Sequence, residues 1–391
     1  MTATLNRRHV LGAGLAGAAQ LGLSPAWGEG DDSAAAFRDP RGVAPLSAPY
    51  PPVRVHPERV IRNVVGLRPF RPQGFVVRRQ AFGRRTVVHN YGHGGGVTLS
   101  WGSSQLAVEL AADVSPRSVA VIGAGVMGLT TAYLLLQRGF RVTIYAAATP
   151  PNTTSNVAAA YWAPASVYDR RRIDDPFAAQ FQRAARLSQR MFQHYANDPR
   201  YGVWWIRHIQ PSRRLLEPPL RPLLEGDDLY PGLSIATPPS ETLGRPSAQH
   251  RYSMMIDPDI YLRALLADVQ RAGGRLIIRQ FEDLKALFKL KEKLIFNCTG
   301  LGAKALFGDP DLIPVRGQLT LLLPQPEIDY GYVMGTDEGL LYMFPRRGAI
   351  VLGGTSERGV SSTDVDQQEV QRMMAGHLAV ADHLAQAQTA R

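Results

Sequence analysis

The sequence predicts an α/β fold in which a doubly wound, mostly parallel sheet stands beside an α+β domain with a mainly antiparallel sheet. The first part depends on a βαβ pattern: a buried strand at Ser118–Ile122, a helix over residues 125–137 and a second strand over residues 141–145. The second part depends on two strand-like runs, residues 340–345 and 349–353, which we expect to pair. A chain of 391 residues is long enough for two such domains with sizeable cores.

Residues 1–28 have the pattern of an export signal. Arg7 and Arg8 precede an apolar stretch, rich in Gly and Ala, that is too short to span a membrane. The paired arginines are similar to a twin-arginine signal, which exports proteins already folded around their cofactors; an ordinary secretory signal is the alternative. A GxGxxG string at residues 12–17 is discarded, because no strand precedes it and no βαβ unit follows. We therefore expect an exported protein, periplasmic or secreted.

Charge and cysteine content narrow the function classes. The formal net charge of +11 is carried mostly by scattered arginines, and no run of about 20 apolar residues indicates a membrane span. For the arginine cluster at residues 170–172, a solvated surface is favoured over nucleic-acid or membrane binding, because no aromatic platform accompanies it. Binding of an anionic substrate explains some of the positive net charge better than binding of nucleic acid or a membrane does. The single cysteine, Cys298, excludes an internal disulfide and is predicted to be a core thiol.

The other elements follow from periodicity and turn signals. Residues 29–57, rich in Pro, Ala and Asp, are predicted to be a linker, and the Pro-dense residues 211–250 either a functional lid or a disordered excursion. Asp174 and Asp175 are predicted to cap a long amphipathic helix that ends near Tyr195. The remaining predicted strands cover residues 59–65, 76–90, 275–279, 294–297 and 317–323, and the remaining helices cover residues 103–112, 258–272 and 365–388.

The motif VIGAGVMG at residues 121–128 predicts a dinucleotide cofactor. Gly123 would make the strand-to-helix turn, Gly125 would let the backbone approach a pyrophosphate, and Gly128 would let the helix pack on the sheet. The N-terminus of that helix offers N–H groups and partial positive charge to the anion. An acidic residue usually ends the second strand to hold a ribose hydroxyl, but here residues 146–148 are all alanine. The missing acid weakens a nicotinamide interpretation.

Several segments resemble the D-amino acid oxidases, and the similarity covers most of the chain from about residue 58 onward. The most recognisable are GLRPFRPQ at residues 66–73 and HNYGHGG at residues 89–95. The others are TTSNVAAAYWAP at residues 153–164, FNCTGLG at 296–302, PVRGQ at 314–318, YMFP at 342–345 and LGG at 352–354. The resemblance implies FAD as the cofactor and direct hydride transfer from Cα of the substrate to flavin N5.

The resemblance also implies roles for single residues. Arg68 would hold the substrate carboxylate through bidentate guanidinium geometry, although a surface arginine beside a proline turn is the alternative. Tyr342 would donate its hydroxyl to the same carboxylate, or be plain core. The Gly95 carbonyl would accept from the substrate amino group. His89 and His93 are not assigned as bases, because the chemistry that the resemblance implies needs none, and His93 is expected to support the loop.

The cofactor-binding residues implied in this way are Gly94, Gly95, Gly96, Thr98, Gly123, Ala124, Gly125, Val126, Met127, Gly128, Thr154, Ser155, Ala159 and Tyr161. The flavin-binding domain is expected to comprise residues 58–165 and 255–306, and the substrate domain residues 166–254 and 307–391. Two departures from the family stand out: the loop after the paired glycines is shorter than in the family, and the tyrosine-bearing lid segment of the animal enzymes has no clear counterpart. The arginines at residues 346–347, which follow the hairpin, either favour acidic side chains or lie in a solvated turn.

The order of the motifs is reversed relative to the family. The arginine motif and the glycine-rich loop, which close the chain in the family, here precede the first strand of the dinucleotide fold. We therefore predict a circular permutation, in which the helix at residues 103–112 ends near the start of Ser118–Ile122. Arg391 and residues 52–60 should then lie on the same side of the fold. If they lie on opposite faces, a swapped oligomer is preferable.

The resemblance implies an FAD-dependent oxidase that converts a D-amino acid and O2 into an imino acid, and so a 2-oxo acid and ammonia, with H2O2. Two alternatives stay open: a dehydrogenase that passes electrons to a quinone or carrier, and a non-catalytic flavin-binding protein. The expected partners are a small-molecule substrate and O2, with no nucleic acid and no integral membrane segment; a homodimer is left open.

Overall fold

Two sheets carry the fold in a computed structural model that describes residues 42–115, 117–217 and 229–389. The predicted export signal lies outside these residues, as does the linker up to residue 41. The strands are β1 (Val60–Phe70), β2 (Val76–Phe82), β3 (Arg85–Tyr91), β4 (Ser118–Ile122), β5 (Arg141–Ala146), β6 (Val203–Ser212), β7 (Ser234–Ala236), β8 (Ser247–Ile256), β9 (Arg275–Ile278), β10 (Leu294–Asn297), β11 (Ile313–Leu322), β12 (Tyr330–Gly335), β13 (Leu340–Pro345), β14 (Ile350–Gly353) and β15 (Glu357–Arg358). The helices are α1 (Gly96–Glu109), α2 (Val126–Gln137), α3 (Thr154–Val157), α4 (Asp175–Tyr195), α5 (Pro239–Thr242), α6 (Pro258–Arg271), α7 (Leu284–Leu287), α8 (Gly302–Phe307) and α9 (Gln367–Thr389).

The first sheet has six strands in the order β2-β3-β10-β4-β5-β9. All neighbours are parallel except the hairpin of β2 and β3. Side chains alternate along β4, so that Val119 and Val121 pack with α1, α2, α4 and α6, whereas Ala120 and Ile122 pack with α7 and α8. Helical layers on both faces make the sheet doubly wound, which confirms the predicted fold class.

Most local predictions for this sheet are confirmed. Strands β4, β5 and β10 and helices α2, α4 and α6 lie within a residue or two of the expected bounds. Asp174 caps α4 by accepting from the Phe177 N–H at 2.9 Å. Two features differ: residues 76–90 form a hairpin that turns at Gly83 instead of one strand, and α1 begins at Gly96 instead of residue 103. Gly95 is the N-cap of α1 and Gly96 its first residue, and because glycine is a poor helix former the sequence pattern placed the start of the helix too late.

The second sheet has nine strands, with the path β1-β11-β14-β13-β12-β6-β8-β7 and β15 paired to β11. Every pairing is antiparallel except that of β6 with β12. Residues 340–345 and 349–353 pair as predicted. Strand β1 differs from the expected domain ranges: residues 58–165 were assigned to the flavin-binding domain, yet β1 pairs with β11 in this second sheet. The proline-dense residues 211–250, expected to be a functional lid or a disordered excursion, contain the end of β6, β7, α5 and the start of β8 in their described part.

The described part of the expected linker, residues 42–57, is packed against the nine-stranded sheet. Tyr50 is buried between this sheet and α9, and Arg207 of β6 donates to the carbonyl oxygens of Ala48 at 2.6 Å and Pro49 at 3.2 Å. The Gln388 side chain donates to the Tyr50 carbonyl oxygen at 3.0 Å. Helix α9 therefore ends beside the residues that lead into β1, the side that a circular permutation predicts; Arg391 itself lies outside the described residues.

Within the described ranges, no helix combines the length and the apolar character needed to cross a bilayer.

Candidate functional site

A cavity of about 1040 Å³ lies between the two sheets. On one side it is lined by residues that directly follow β3, β4, β5, β9 and β10, which are the carboxyl ends of the parallel strands, where doubly wound folds bind their ligands. On the other side it is lined by one face of the nine-stranded sheet. The predicted site residues that line it are Arg68, Gly94, Gly95, Gly96, Thr98, Gly123, Ala124, Gly125, Val126, Met127, Thr154, Ser155, Ala159, Tyr161 and Tyr342.

The turn between β4 and α2 has the geometry that its glycines predict. Gly123 has a φ of +111°, and a Cβ there would lie 2.5 Å from the Cys298 carbonyl oxygen. Gly128 lies under the turn, outside the cavity lining, and a Cβ there would lie 1.9 Å from the Gly123 carbonyl oxygen. The Ser155 hydroxyl accepts from the Val126 N–H at 3.0 Å, which ties α3 to the start of α2. Free N–H groups of this helix N-terminus suit an anion.

The end of the cavity beside residues 146–148 lacks the expected acid, as the sequence indicated. The segment that follows the neighbouring strand β9 lies beside this end: the backbone N–H of Arg279 donates to the Ala146 carbonyl oxygen at 2.8 Å, and Arg279 and Glu282 both line the cavity. Glu282 is exposed. Sequence reasoning missed this carboxylate because it looked only at the end of the second strand of the βαβ unit.

The glycine-rich loop passes too close to other backbone for any side chain. Gly94 has a φ of +61°, and a Cβ there would lie 2.2 Å from the Ser166 carbonyl oxygen. A Cβ on Gly95 would lie 2.7 Å from the Ala165 carbonyl oxygen. The Gly95 carbonyl differs from its expected role, because it already accepts from the N–H of Thr98 at 3.3 Å and from its hydroxyl at 2.8 Å. Both of its lone pairs are thus used to cap α1.

Arg68 and Tyr342 are brought to the same region of the cavity by the nine-stranded sheet. Arg68 lies on β1 and Tyr342 on β13, with β11 and β14 between them. Two glycines leave room for these side chains. A Cβ on Gly317 of β11 would lie 3.4 Å from Nη2 of Arg68, and one on Gly353 of β14 would lie 2.0 Å from Cε2 of Tyr342.

Both side chains keep donors available. Among the described residues, the Arg68 guanidinium makes one hydrogen bond, of 3.4 Å to the Thr355 carbonyl oxygen, and no carboxylate pairs with it. The Tyr342 hydroxyl has no hydrogen-bond partner within the same residues. Burial raises the pKa of Tyr342, and the positive charges of Arg68 and Arg346 oppose this shift only in part. Tyr342 is therefore a neutral donor at physiological pH.

The two histidines of the loop have structural surroundings. His89 does not line the cavity; its ring nitrogens contact Asn297 at 3.1 Å and Gln80 at 3.2 Å, and burial lowers its pKa to about 4. His93 lines the cavity and stacks on Phe75 at 4.7 Å, and burial lowers its pKa to about 3. Neither ring is a useful proton acceptor at neutral pH.

Cys298 is the buried thiol that the sequence predicted. It contacts the Thr131 hydroxyl at 3.6 Å, and burial raises its pKa to about 12. A thiol with that pKa is not a nucleophile at neutral pH.

Sequence reasoning missed the cavity wall formed by β6 and β8. His208, Gln210 and Arg251 line the cavity from these strands. The available signal was a two-residue periodicity: His208 and Gln210 alternate with Ile209, as Arg251 alternates with Tyr252. The surrounding prolines obscured it.

Comparison with known proteins identifies the family. A family model described as FAD dependent oxidoreductase (DAO) matches residues 118–388. A D-amino-acid oxidase of Rubrobacter xylanophilus is 32% identical over 265 residues, which cover 63% of this chain and 72% of that protein. One of Streptomyces coelicolor is 32% identical over 261 residues, covering 66% and 75%. The solved glycine oxidase of Bacillus cereus is similar with a TM-score of 0.49 at 14% identity, covering 67% of this chain and 77% of that one.

The chain belongs to the DAO family of FAD-dependent oxidoreductases. It is an enzyme, an oxidoreductase that uses FAD. The cavity fits that cofactor: Gly94, Gly95 and Gly123 line it with backbone alone, and the N-terminus of α2 faces the same space. The flat flavin ring requires bare backbone beside it, and the pyrophosphate requires the N–H groups of a helix N-terminus.

Proposed function

We propose that this enzyme oxidises D-amino acids and yields a 2-oxo acid, ammonia and H2O2. The observation that carries the proposal is that Arg68 and Tyr342, which both keep donors available, line the same cavity as the glycine-rich loop. A guanidinium and a neutral hydroxyl are suited to bind a carboxylate.

Each residue has a role that its surroundings support. Arg68 would hold the substrate carboxylate, and Tyr342 would donate a hydrogen bond to the same group. FAD, when bound, supplies the oxidant and takes the hydrogen and two electrons of the Cα–H bond. The loop at Gly94–Gly96 and the turn at Gly123–Gly125 would hold it, and the nine-stranded sheet would form the wall behind the substrate.

No side chain of the described cavity is required as a base. His93 is the histidine nearest the glycine-rich loop, and its ring stays neutral because burial holds its pKa near 3. Proton release from the substrate ammonium is left to solvent before the substrate is enclosed. Chain residues therefore act by orientation.

Product analysis in air tests this proposal. The purified holoenzyme is incubated with the D- and L-forms of alanine, glutamate and serine, and with glycine, and H2O2 and 2-oxo acid are measured. H2O2 and 2-oxo acid in equal amounts from D-isomers only are expected. Oxidation of L-isomers or of glycine alone refutes the substrate class, and 2-oxo acid that forms only with an added quinone refutes the oxidase.

We also propose that the chain is circularly permuted relative to its family. Helix α1 leads directly from the glycine-rich loop into β4, the family match begins at Ser118, and α9 ends beside Tyr50. A gene that begins at residue 118, runs to residue 389 and then joins residues 42–115 should give a soluble flavoprotein with the same spectrum. An insoluble product without flavin counts against this wiring.

We further propose export of the folded holoenzyme, supported by the paired arginines Arg7 and Arg8. Replacement of both by lysine should leave the protein in the cytoplasm of a bacterial host that has a twin-arginine system. Unchanged export would refute this route.

A further inference from the structure

One end of the cavity carries a positive charge that the roles above do not use. Strands β6 and β8 are antiparallel neighbours, and their register places His208 opposite Arg251. Both residues line the cavity, together with Gln210. Arg251 is only 1% exposed and His208 is fully buried.

The guanidinium of Arg251 is held by neutral groups. Nε donates to the Tyr161 hydroxyl at 3.2 Å, Nη1 to Gln249 Oε1 at 2.9 Å and Nη2 to Gln210 Oε1 at 3.1 Å. Its Cζ lies 4.9 Å from the centre of the Tyr230 ring. Across the described ranges no carboxylate contacts it. Arginine stays charged in proteins, and burial of a charge without a counter-ion is strongly unfavourable.

Neighbouring groups also offer donors. Neither ring nitrogen of His208 has a hydrogen-bond partner within the described residues, and the ring stacks on Tyr161 at 4.4 Å. Burial first, and the Arg251 charge second, hold the pKa of His208 well below its usual range, so its neutral ring keeps one N–H donor. Because the Tyr161 oxygen accepts from Arg251, its own hydrogen is free to be donated.

The position of this cluster suits a substrate side chain. Tyr342 lies on β13, and β12, β6 and β8 follow it in the sheet. Neighbouring strands are about 4.8 Å apart, so β8 lies about 14 Å from β13 across the sheet. The guanidinium of Arg251 is displaced within this span towards Tyr342, because it donates to Gln210 on β6, one strand nearer. Phe344, Tyr161 and Val333 line the cavity between them.

We propose that His208, Tyr161 and Arg251 form a subsite for the side-chain carboxylate of an acidic D-amino acid, so that D-glutamate and D-aspartate are the preferred substrates. This inference rests on the proposed D-amino acid oxidation. A bound side-chain carboxylate supplies the counter-ion that Arg251 lacks.

The arginines that the sequence marked as candidates for this role lie elsewhere. Arg346 is buried and donates to the Ala158 carbonyl oxygen, and Arg347 lies over the Trp204 ring at 5.2 Å. Neither lines the cavity. Arg346 is buried in the structure, so the solvated turn expected for it is wrong.

The first test needs no variant. kcat/KM of the holoenzyme is measured for D-glutamate against D-glutamine and for D-aspartate against D-asparagine, pairs of nearly equal size and shape in which only the acid carries a side-chain charge. A preference of about 100-fold or more for the acid is expected. Equal rates within each pair overturn the proposal.

The second test is Arg251→Met, with Arg347→Met as a matched control outside the cavity. Arg251→Met should lower kcat/KM for D-glutamate by about 100-fold or more and for D-alanine by less than about 5-fold, with an unchanged flavin spectrum. Equal losses for both substrates, or loss of flavin, assign Arg251 a structural role and overturn the proposal.

A binding measurement separates this inference from the proposed activity. Malonate and succinate are titrated into the holoenzyme against acetate and butyrate, and the change in the visible flavin spectrum gives dissociation constants. Tight dicarboxylate binding that Arg251→Met weakens supports the subsite even if no D-amino acid is oxidised. Oxidation of D-alanine without any preference for dicarboxylates overturns the subsite alone.

Discussion

Replacement of Arg68 by alanine should remove substrate binding while leaving the fold intact. In the structure its one hydrogen bond within the described chain is the 3.4 Å contact with the Thr355 carbonyl oxygen. Loss of so long a bond should cost less than about 1 kcal/mol of folding free energy. A substrate carboxylate left without its guanidinium loses about 2–5 kcal/mol of binding, which corresponds to a fall in kcat/KM of about 30-fold to a few thousand-fold.

Steady-state kinetics with D-alanine, together with the visible spectrum and a urea unfolding curve, measure these effects. Arg62→Ala is the matched control, because Arg62 is exposed on the same strand and does not line the cavity. Arg68→Lys should be intermediate, since it keeps the charge but loses the planar fork. An Arg68→Ala protein without flavin, or one with an unchanged KM, refutes the assignment of Arg68 as the carboxylate ligand.

Three further predictions follow from the site. Tyr342→Phe should lower kcat/KM by about 10- to 100-fold without altering the flavin spectrum, because one hydrogen bond to a charged group is lost; unchanged kinetics would make Tyr342 plain core. Gly94→Ala should weaken retention of FAD during gel filtration by at least about tenfold, whereas Gly83→Ala, which has a similar positive φ but open space around it, should not; equal behaviour would refute the close-packing argument. The pKa of His93 is lowered to about 3 by burial, so the unfolded chain binds a proton that the folded one does not, and stability falls as the pH drops below about 6.5. The free energy of unfolding, measured with urea at about pH 7.5 and at pH 5, falls between these two pH values. This fall should be about 2 kcal/mol smaller in His93→Gln than in the unaltered protein, and an identical fall would contradict a buried neutral His93.

Local patterns allowed the flavin-binding half of the fold to be predicted. The turn at Gly123, the helix cap at Asp174 and the buried strand β4 depend on residues within a few positions of one another, and the structure has them where the sequence indicates. The start of α1 at Gly96 could not be predicted in this way, because glycine is a poor helix former and the loop is fixed by contacts with residues 165–166.

Long-range pairing could not be predicted from local sequence. Strand β1 pairs with β11, some 250 residues away along the chain, which decides its sheet but leaves no local signal. The packing of residues 42–57 against the sheet likewise depends on a distant residue, because Arg207 donates to carbonyl oxygens of this segment from about 160 residues further along the chain. Arg251 was missed because its strand follows a proline-rich segment and because nothing in the sequence shows that its neighbours are neutral.

The role of Gly95 shows the limit of an assignment by resemblance. The residue lines the cavity as expected, but its carbonyl is already bonded by Thr98.

Anaerobic reduction of the bound flavin tests the central claim most directly, namely that the arginine segment, the glycine-rich loop and the dinucleotide turn form one working site. The holoenzyme is mixed without oxygen with D- or L-glutamate and D- or L-alanine, and the visible absorbance of the flavin is followed. The D-isomers should bleach the flavin fully, D-glutamate at the lowest concentration, and admission of air should restore the colour at once. A flavin that stays oxidised with every D-amino acid, or that bleaches equally with the L-isomers, contradicts the account.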